Sequence, residues 1–211
     1  MPLKKKLLNE SNLYVILDAQ VNTYEELFEI VKKSVGSGVD ILQLRDKISS
    51  AKKVLEFSRK IVEYINHKLL FIVNDRVDIA LLSGADGVHV GQNDISAGDV
   101  RRLTGKNFLI GTSAQRLEHC RAAEEAGADY IGLGSVYKTK TKPERCPMDQ
   151  TLLTEVARSI QIPVFAIGGI DQTNVRQIVD KGLKRVAVCR SLCCSDNFLE
   201  EVSLLKKILR G

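Results

Sequence analysis

Gln43, Arg45 and Lys47 stand two residues apart at the end of an apolar run. In an extended strand that spacing puts all three side chains on one face. Two cations held side by side repel each other and lose hydration, and a bound anion relieves both costs. Asp75 and Asp94 follow two later apolar runs, as Asn74-Asp75 and Gln92-Asn93-Asp94. A carboxylate pair with no His or Cys companions suits a hard divalent ion that retains several waters, so Mg²⁺ and not zinc. Plainer readings compete. Arg45 and Lys47 would form a surface ion-pair strip with Asp46, and each aspartate would cap a following helix. Cations beside a carboxylate pair nevertheless point to an enzyme that acts on a phosphorylated small molecule, with a diphosphate as the anion.

Further polar groups follow other apolar runs. Ser113 has no His or Asp companion that would mark a hydrolytic nucleophile, so a hydrogen bond to substrate is expected of it. His89, in Val88-His89-Val90, is either a hydrogen-bonded core residue or, if alternation turns it inward, a substrate contact. Asp18 reads as a cap or turn residue. The polar stretch from Tyr137 to Met148 carries Thr139, Thr141 and Lys142. It is long for a strand-to-helix connection, and is either a cover for the site or simply a mobile loop. Gly168-Gly169 and Arg190-Ser191 follow the last two runs, where exposed backbone N–H groups and a cation favour phosphate.

The elements that must position these groups are short apolar runs alternating with amphipathic stretches. Eight strands are predicted: Leu13–Leu17, Ile41–Leu44, Leu69–Val73, Gly87–Val90, Phe108–Gly111, Tyr130–Leu133, Val164–Ile167 and Val186–Val188. Their continuous hydrophobicity is that of parallel strands buried on both faces. Glu25–Val35 and Val54–Ile65 place their apolar residues on one helical face, and Leu117–Ala126 and Val175–Val179 are of the same kind. Two junctions look alike, Ser83-Gly84-Ala85-Asp86-Gly87 and Ala126-Gly127-Ala128-Asp129-Tyr130, each with a Gly suited to close a helix. The pattern predicts a single (β/α)8 barrel over residues 1–211, with 1–10 as a polar leader; an open doubly wound sheet is the alternative. In such a barrel the loops after the strands converge on one mouth.

Bulk properties narrow the classes. The chain has 211 residues, 44% hydrophobic and 27% charged, with net charge +5. The basic residues are dispersed and not interleaved with aromatics, which argues against nucleic acid. No apolar run approaches a membrane span, and the basic N-terminus leads into no secretory signal. Five cysteines without a C-x-x-C pair indicate neither a disulfide framework nor a zinc site, so reduced thiols and a cytoplasmic setting are expected. Small-molecule substrates are the expected partners, and a homo-oligomer stays open.

The order of these segments resembles the thiamine-phosphate synthase (thiamine-phosphate pyrophosphorylase) family from Tyr14 to Ser191. The likeness is carried by Gln43-Leu44-Arg45-Asp46-Lys47, Asn74-Asp75-Arg76-Val77-Asp78-Ile79-Ala80, Ala85 through Asp94, Gly132-Leu133-Gly134 and Ala166-Ile167-Gly168-Gly169-Ile170. The resemblance implies a TIM barrel that couples hydroxymethylpyrimidine diphosphate to hydroxyethylthiazole phosphate, releasing thiamine phosphate and diphosphate. It implies that Gln43, Arg45, Lys47, Asn74, Ser113 and Lys142 hold the pyrimidine diphosphate, with Arg45, Lys47, Ser113 and Lys142 carrying the catalysis. It further implies Mg²⁺ on Asp75 and Asp94, and His89 near the pyrimidine. Thr139, Thr141, Gly169, Cys189 and Arg190 would meet the thiazole phosphate. Four positions depart from the common pattern: Gln115 where His is frequent, Ser135 and Lys138 where Pro is frequent, and Arg190 where Ser is frequent. The related thiazole tautomerase branch shares the barrel without needing the diphosphate and metal set, so Arg45, Lys47, Asp75 and Asp94 favour the synthase over that alternative.

Overall fold

A computed structural model describes residues 3–140 and 146–211. Eight parallel strands close a barrel in sequence order: β1 Leu13–Asp18, β2 Ile41–Arg45, β3 Leu70–Asn74, β4 Gly87–Val90, β5 Leu109–Ala114, β6 Tyr130–Gly134, β7 Val164–Ile167 and β8 Val186–Val188. β8 pairs with β1 through Leu13–Val186 and its neighbours, which decides for the barrel over the open sheet. The helices are α1 Leu3–Glu10, α2 Tyr24–Ser34, α3 Ala51–Ile65, α4 Val77–Ser83, α5 Ala97–Thr104, α6 Leu117–Glu125, α7 Thr151–Ser159, α8 Val175–Asp180, α9 Arg190–Cys193 and α10 Phe198–Arg210.

Strand alternation divides the core in two. Val15, Leu42, Phe71, Val88, Ile110, Ile131 and Val164 face outward under the helices. Tyr14, Ile16, Ile41, Leu70, Ile72, Leu109, Tyr130, Phe165 and Ala187 fill the barrel interior. Gly111 has no room for a side chain, because a Cβ there would stand 2.1 Å from Tyr130 Cζ. The bulk of Tyr130 occupies that space instead.

The expected polar leader needs correction. Residues 3–10 form α1, and Leu8 is 2% exposed within the inner cluster. Lys4 pairs with Asp86 at 2.9 Å and Lys5 with Asp129 at 2.6 Å. α1 therefore sits across the end where the strands begin.

Those two aspartates belong to the repeated junction seen in the sequence. Asp86 accepts the Phe71 N–H at 2.9 Å, and Asp129 accepts the Ile110 N–H at 2.9 Å. Asp40 does the same for Leu13 at 2.9 Å. Each aspartate stands just before its own strand and accepts a backbone N–H at the start of the strand before it, which satisfies that donor. The preceding Gly84 and Gly127 have φ of +78° and +81°, the conformation that ends a helix at least cost.

Candidate active site

β2 ends by aiming Gln43 and Arg45 inward, into a cavity of about 490 Å³ at the C-terminal mouth. That is within the usual size for a small-molecule site. Ser113, Thr139, Gly169, Cys189 and Arg190 also line it. Arg45 is held in position by Asp18, which is wholly buried, at 2.7 Å from Arg45 Nη1. Gln20 Oε1 accepts from the same Nη1 at 2.9 Å. Asp18 also accepts the Gln20 N–H at 3.0 Å, so the turn role expected of it is only part of its work. The alternation Tyr14, Ile16, Asp18 was the available signal, since an inward strand ends on that carboxylate.

Asp46 does not form an ion-pair strip with Arg45 and Lys47. It accepts the Tyr24 hydroxyl at 2.6 Å and the N–H groups of Ile48 and Ser49 at 2.9 and 2.8 Å. Burial alone would raise its carboxyl, but the Tyr24 hydroxyl and these amides hold it below the usual range. Lys47 instead reaches Asp75 at 2.7 Å on the rim.

Asp75 and Asp94 are close neighbours. Burial raises the Asp75 carboxyl, the Lys47 hydrogen bond opposes this, and the charge of Asp94 raises it further. Neither caps a helix: Arg76 precedes α4 and Ser96 caps α5. Asp75 has φ +61°, a left-handed conformation costing a non-glycine residue about 1–2 kcal/mol. Its N–H donates to His89 O at 2.8 Å, and Asp94 Oδ2 accepts the Gly91 N–H at 2.8 Å. Two carboxylates converging beside a lysine fit a hard cation that completes its shell with water and phosphate oxygens. Among the described residues no cluster of three or more His, Cys, Asp or Glu side chains could hold a metal, so a site built wholly from such ligands is not available.

Alternation does turn His89 inward. It is 9% exposed and lies between Tyr130 and Ser113. Asn74, its register partner, ends β3 half-buried. Gly169 has φ +66°, and a Cβ there would stand 2.5 Å from Lys138 O. Glycine at this position is thus needed for the loop after β6 to pack on the loop after β7. Arg190 is exposed at the start of the single-turn α9. Thr141 and Lys142 lie outside the described residues. Lys138 and Lys140, which are not among the expected substrate contacts, also line the cavity.

A barrel with an arginine-lined cavity and a carboxylate pair on its C-terminal rim is of the class that handles phosphorylated substrates. A family model described as thiamine monophosphate synthase matches residues 13–192. A thiamine-phosphate synthase of Shouchella clausii is 40% identical over 178 residues, covering 83% of this chain and 85% of the relative. One of Halalkalibacterium halodurans is 34% identical over 204 residues, covering 96% and 97%. A solved thiamine phosphate pyrophosphorylase from Pyrococcus furiosus superposes with TM-score 0.84 at 30% identity, covering 98% of both chains. The chain belongs to the thiamine-phosphate synthase family, and it is a transferase that makes thiamine phosphate with release of diphosphate.

Proposed function

We propose that this chain joins hydroxymethylpyrimidine diphosphate to hydroxyethylthiazole phosphate, with Mg²⁺ on Asp75 and Asp94. The observation that carries this reading is the meeting of Lys47, Asp75 and Asp94 on the rim, with Lys47 two residues along the chain from the cavity-lining Arg45. Bound there, Mg²⁺ would neutralise charge on the departing diphosphate. Arg45, Lys47 and Lys142 hold the same group by charge-assisted hydrogen bonds, with Gln43, Asn74 and Ser113 completing its cradle. His89 lies near the pyrimidine. Thr139, Thr141, Gly169, Cys189 and Arg190 take the thiazole phosphate, and so bring its ring nitrogen to the pyrimidine CH₂.

The bond from that CH₂ to the diphosphate oxygen breaks, and a bond to the thiazole nitrogen forms. Electron donation from the aminopyrimidine supports a dissociative course. This course requires no protein nucleophile. Removing any one of the three cations from the diphosphate is expected to cost about 2–4 kcal/mol of barrier. The five free cysteines support a cytoplasmic setting. Among the described residues, no helix is long and apolar enough to cross a membrane.

The test is incubation with both substrates and Mg²⁺, following thiamine phosphate and diphosphate together. Equal formation of the two is expected. Binding of both substrates without diphosphate release would make the chain a ligand sensor, and turnover of the thiazole phosphate alone would make it an isomerase.

A further inference from the structure

Beneath the cavity five side chains form one hydrogen-bonded chain across the barrel. Gln43 Nε2 donates to Tyr14 Oη at 2.6 Å. Tyr14 Oη meets Tyr130 Oη at 3.0 Å, and Tyr130 Oη meets His89 Nδ1 at 3.3 Å. His89 Nε2 then meets Ser113 Oγ at 3.0 Å. Gln43, Tyr14, Tyr130 and His89 are all buried, so their polar atoms need partners from the protein, and these hydrogen bonds supply them. Burial pushes both phenols above their ordinary range, and each keeps its proton.

These contacts fix a direction. An amide Nε2 only donates, so Tyr14 Oη accepts from Gln43. The single Tyr14 proton then goes to Tyr130, and the Tyr130 proton goes to His89 Nδ1. The reverse order would leave the Tyr14 proton buried with both of its partners donating, which is the costly arrangement. With Nδ1 accepting, the ring proton sits on Nε2 and is donated to Ser113 Oγ. The Ser113 hydroxyl proton is left for the cavity that Ser113 lines.

We infer that Tyr14 and Tyr130 are positioning residues that hold His89 as its Nε2–H tautomer and so present Ser113 to the cavity as a hydrogen-bond donor. Resting on the function proposed above, the atom that Ser113 meets is an acceptor of the pyrimidine diphosphate. Gly132 belongs to this arrangement, since a Cβ there would stand 3.1 Å from His89 Cε1 and crowd the ring.

Nitrogen-15 spectra of histidine-labelled, full-length, unliganded protein read the tautomer directly. His89, assigned by the signal that disappears in His89→Gln, is expected to show a bare Nδ1 and a protonated Nε2. Tyr130→Phe keeps the ring but removes the donor to Nδ1. It is expected to mix the two tautomers and to lower kcat for coupling about tenfold, with KM for the thiazole phosphate held within about twofold. A wild-type His89 found as the Nδ1–H form, or as a mixture, would overturn the inference. So would a folded Tyr130→Phe protein whose His89 signals match wild type. The spectra need no substrate. A chain that gives the expected signals but does not couple the two substrates counts against the proposed function and leaves this inference standing.

Discussion

An arginine proposed to meet a diphosphate gains from being held in place, and Asp18 holds Arg45. The Asp18 side chain is 0% exposed and that of Arg45 11%, so the pair is largely desolvated. Such a pair is costly to break from one side, because the surviving charge stays buried. Asp18→Asn is therefore expected to destabilise the fold by about 3 kcal/mol and to raise KM for the pyrimidine diphosphate about tenfold or more. Thermal unfolding and steady-state kinetics measure the two effects. Reduced stability with an unchanged KM would show that Arg45 does not hold the diphosphate. The rim carboxylates behave in the opposite sense. The charge of Asp94 acts against ionisation of Asp75, and Lys47 offsets only part of that and of the cost of burial, so the proposed Mg²⁺ would relieve the repulsion between the two carboxylates. The double variant Asp75→Ala with Asp94→Ala is expected to fold normally by circular dichroism and to lose Mg²⁺-dependent coupling. Undiminished turnover in that protein would remove the metal assignment.

At the scale of elements, the connection from β2 to α3 carries Lys47 to the rim, and Asp46 anchors that connection to Tyr24 and to two of its own amides. The Asp46 carboxyl is held below its ordinary value, so the anchor stabilises the fold above the unfolded value of about 3.9 and is lost as pH falls through the folded one. Asp46→Ala is expected to cost about 1 kcal/mol at neutral pH, after screening by solvent. The deficit should shrink as pH falls below about 4. Urea unfolding of both proteins at a series of pH values checks this, and a deficit constant with pH would show that the charge is not what anchors the loop.

Elements built from apolar periodicity are legible in the sequence; those built from distant polar contacts are not. Apolar periodicity ends β2 at Leu44, and the strand extends one residue further, to Arg45. β5 runs on to Ala114 through Thr112 and Ser113, where apolar periodicity stops but strand pairing with β6 continues. α1 escapes detection because its Lys4 and Lys5 look solvated until Asp86 and Asp129, far along the chain, are brought to them. Arg45 stands out as a cation on a strand end. Its restraint by Asp18 does not, because pairing of β1 with β2 is what sets Asp18 opposite Arg45. Tyr14 and Tyr130 read as apolar, and only barrel closure joins their hydroxyls.

Over the whole molecule the two ends of the barrel divide the labour. Polar groups of the candidate site gather at the C-terminal mouth, while Asp40, Asp86 and Asp129 stitch the strands together where they begin. α1 closes that second end, with Leu8 packed into the inner cluster below Tyr14 and Tyr130. Preserving shape at this end serves stability, whereas changes at the mouth alter chemistry. Leu8→Ala makes the division measurable. Removing a buried leucine side chain from an interior contact is expected to cost about 2–4 kcal/mol, and to lower Tm by about 5–12 °C for a chain of this size. Coupling by the folded protein should stay within about twofold of wild type, because the deletion is relayed to the mouth only through strands that the three aspartates already hold in register. Calorimetry and kinetics on the same preparation decide the matter. A protein that keeps its Tm but loses kcat would mean that α1 reaches the mouth through the interior tyrosines, and the two ends would then have to be treated as one coupled unit.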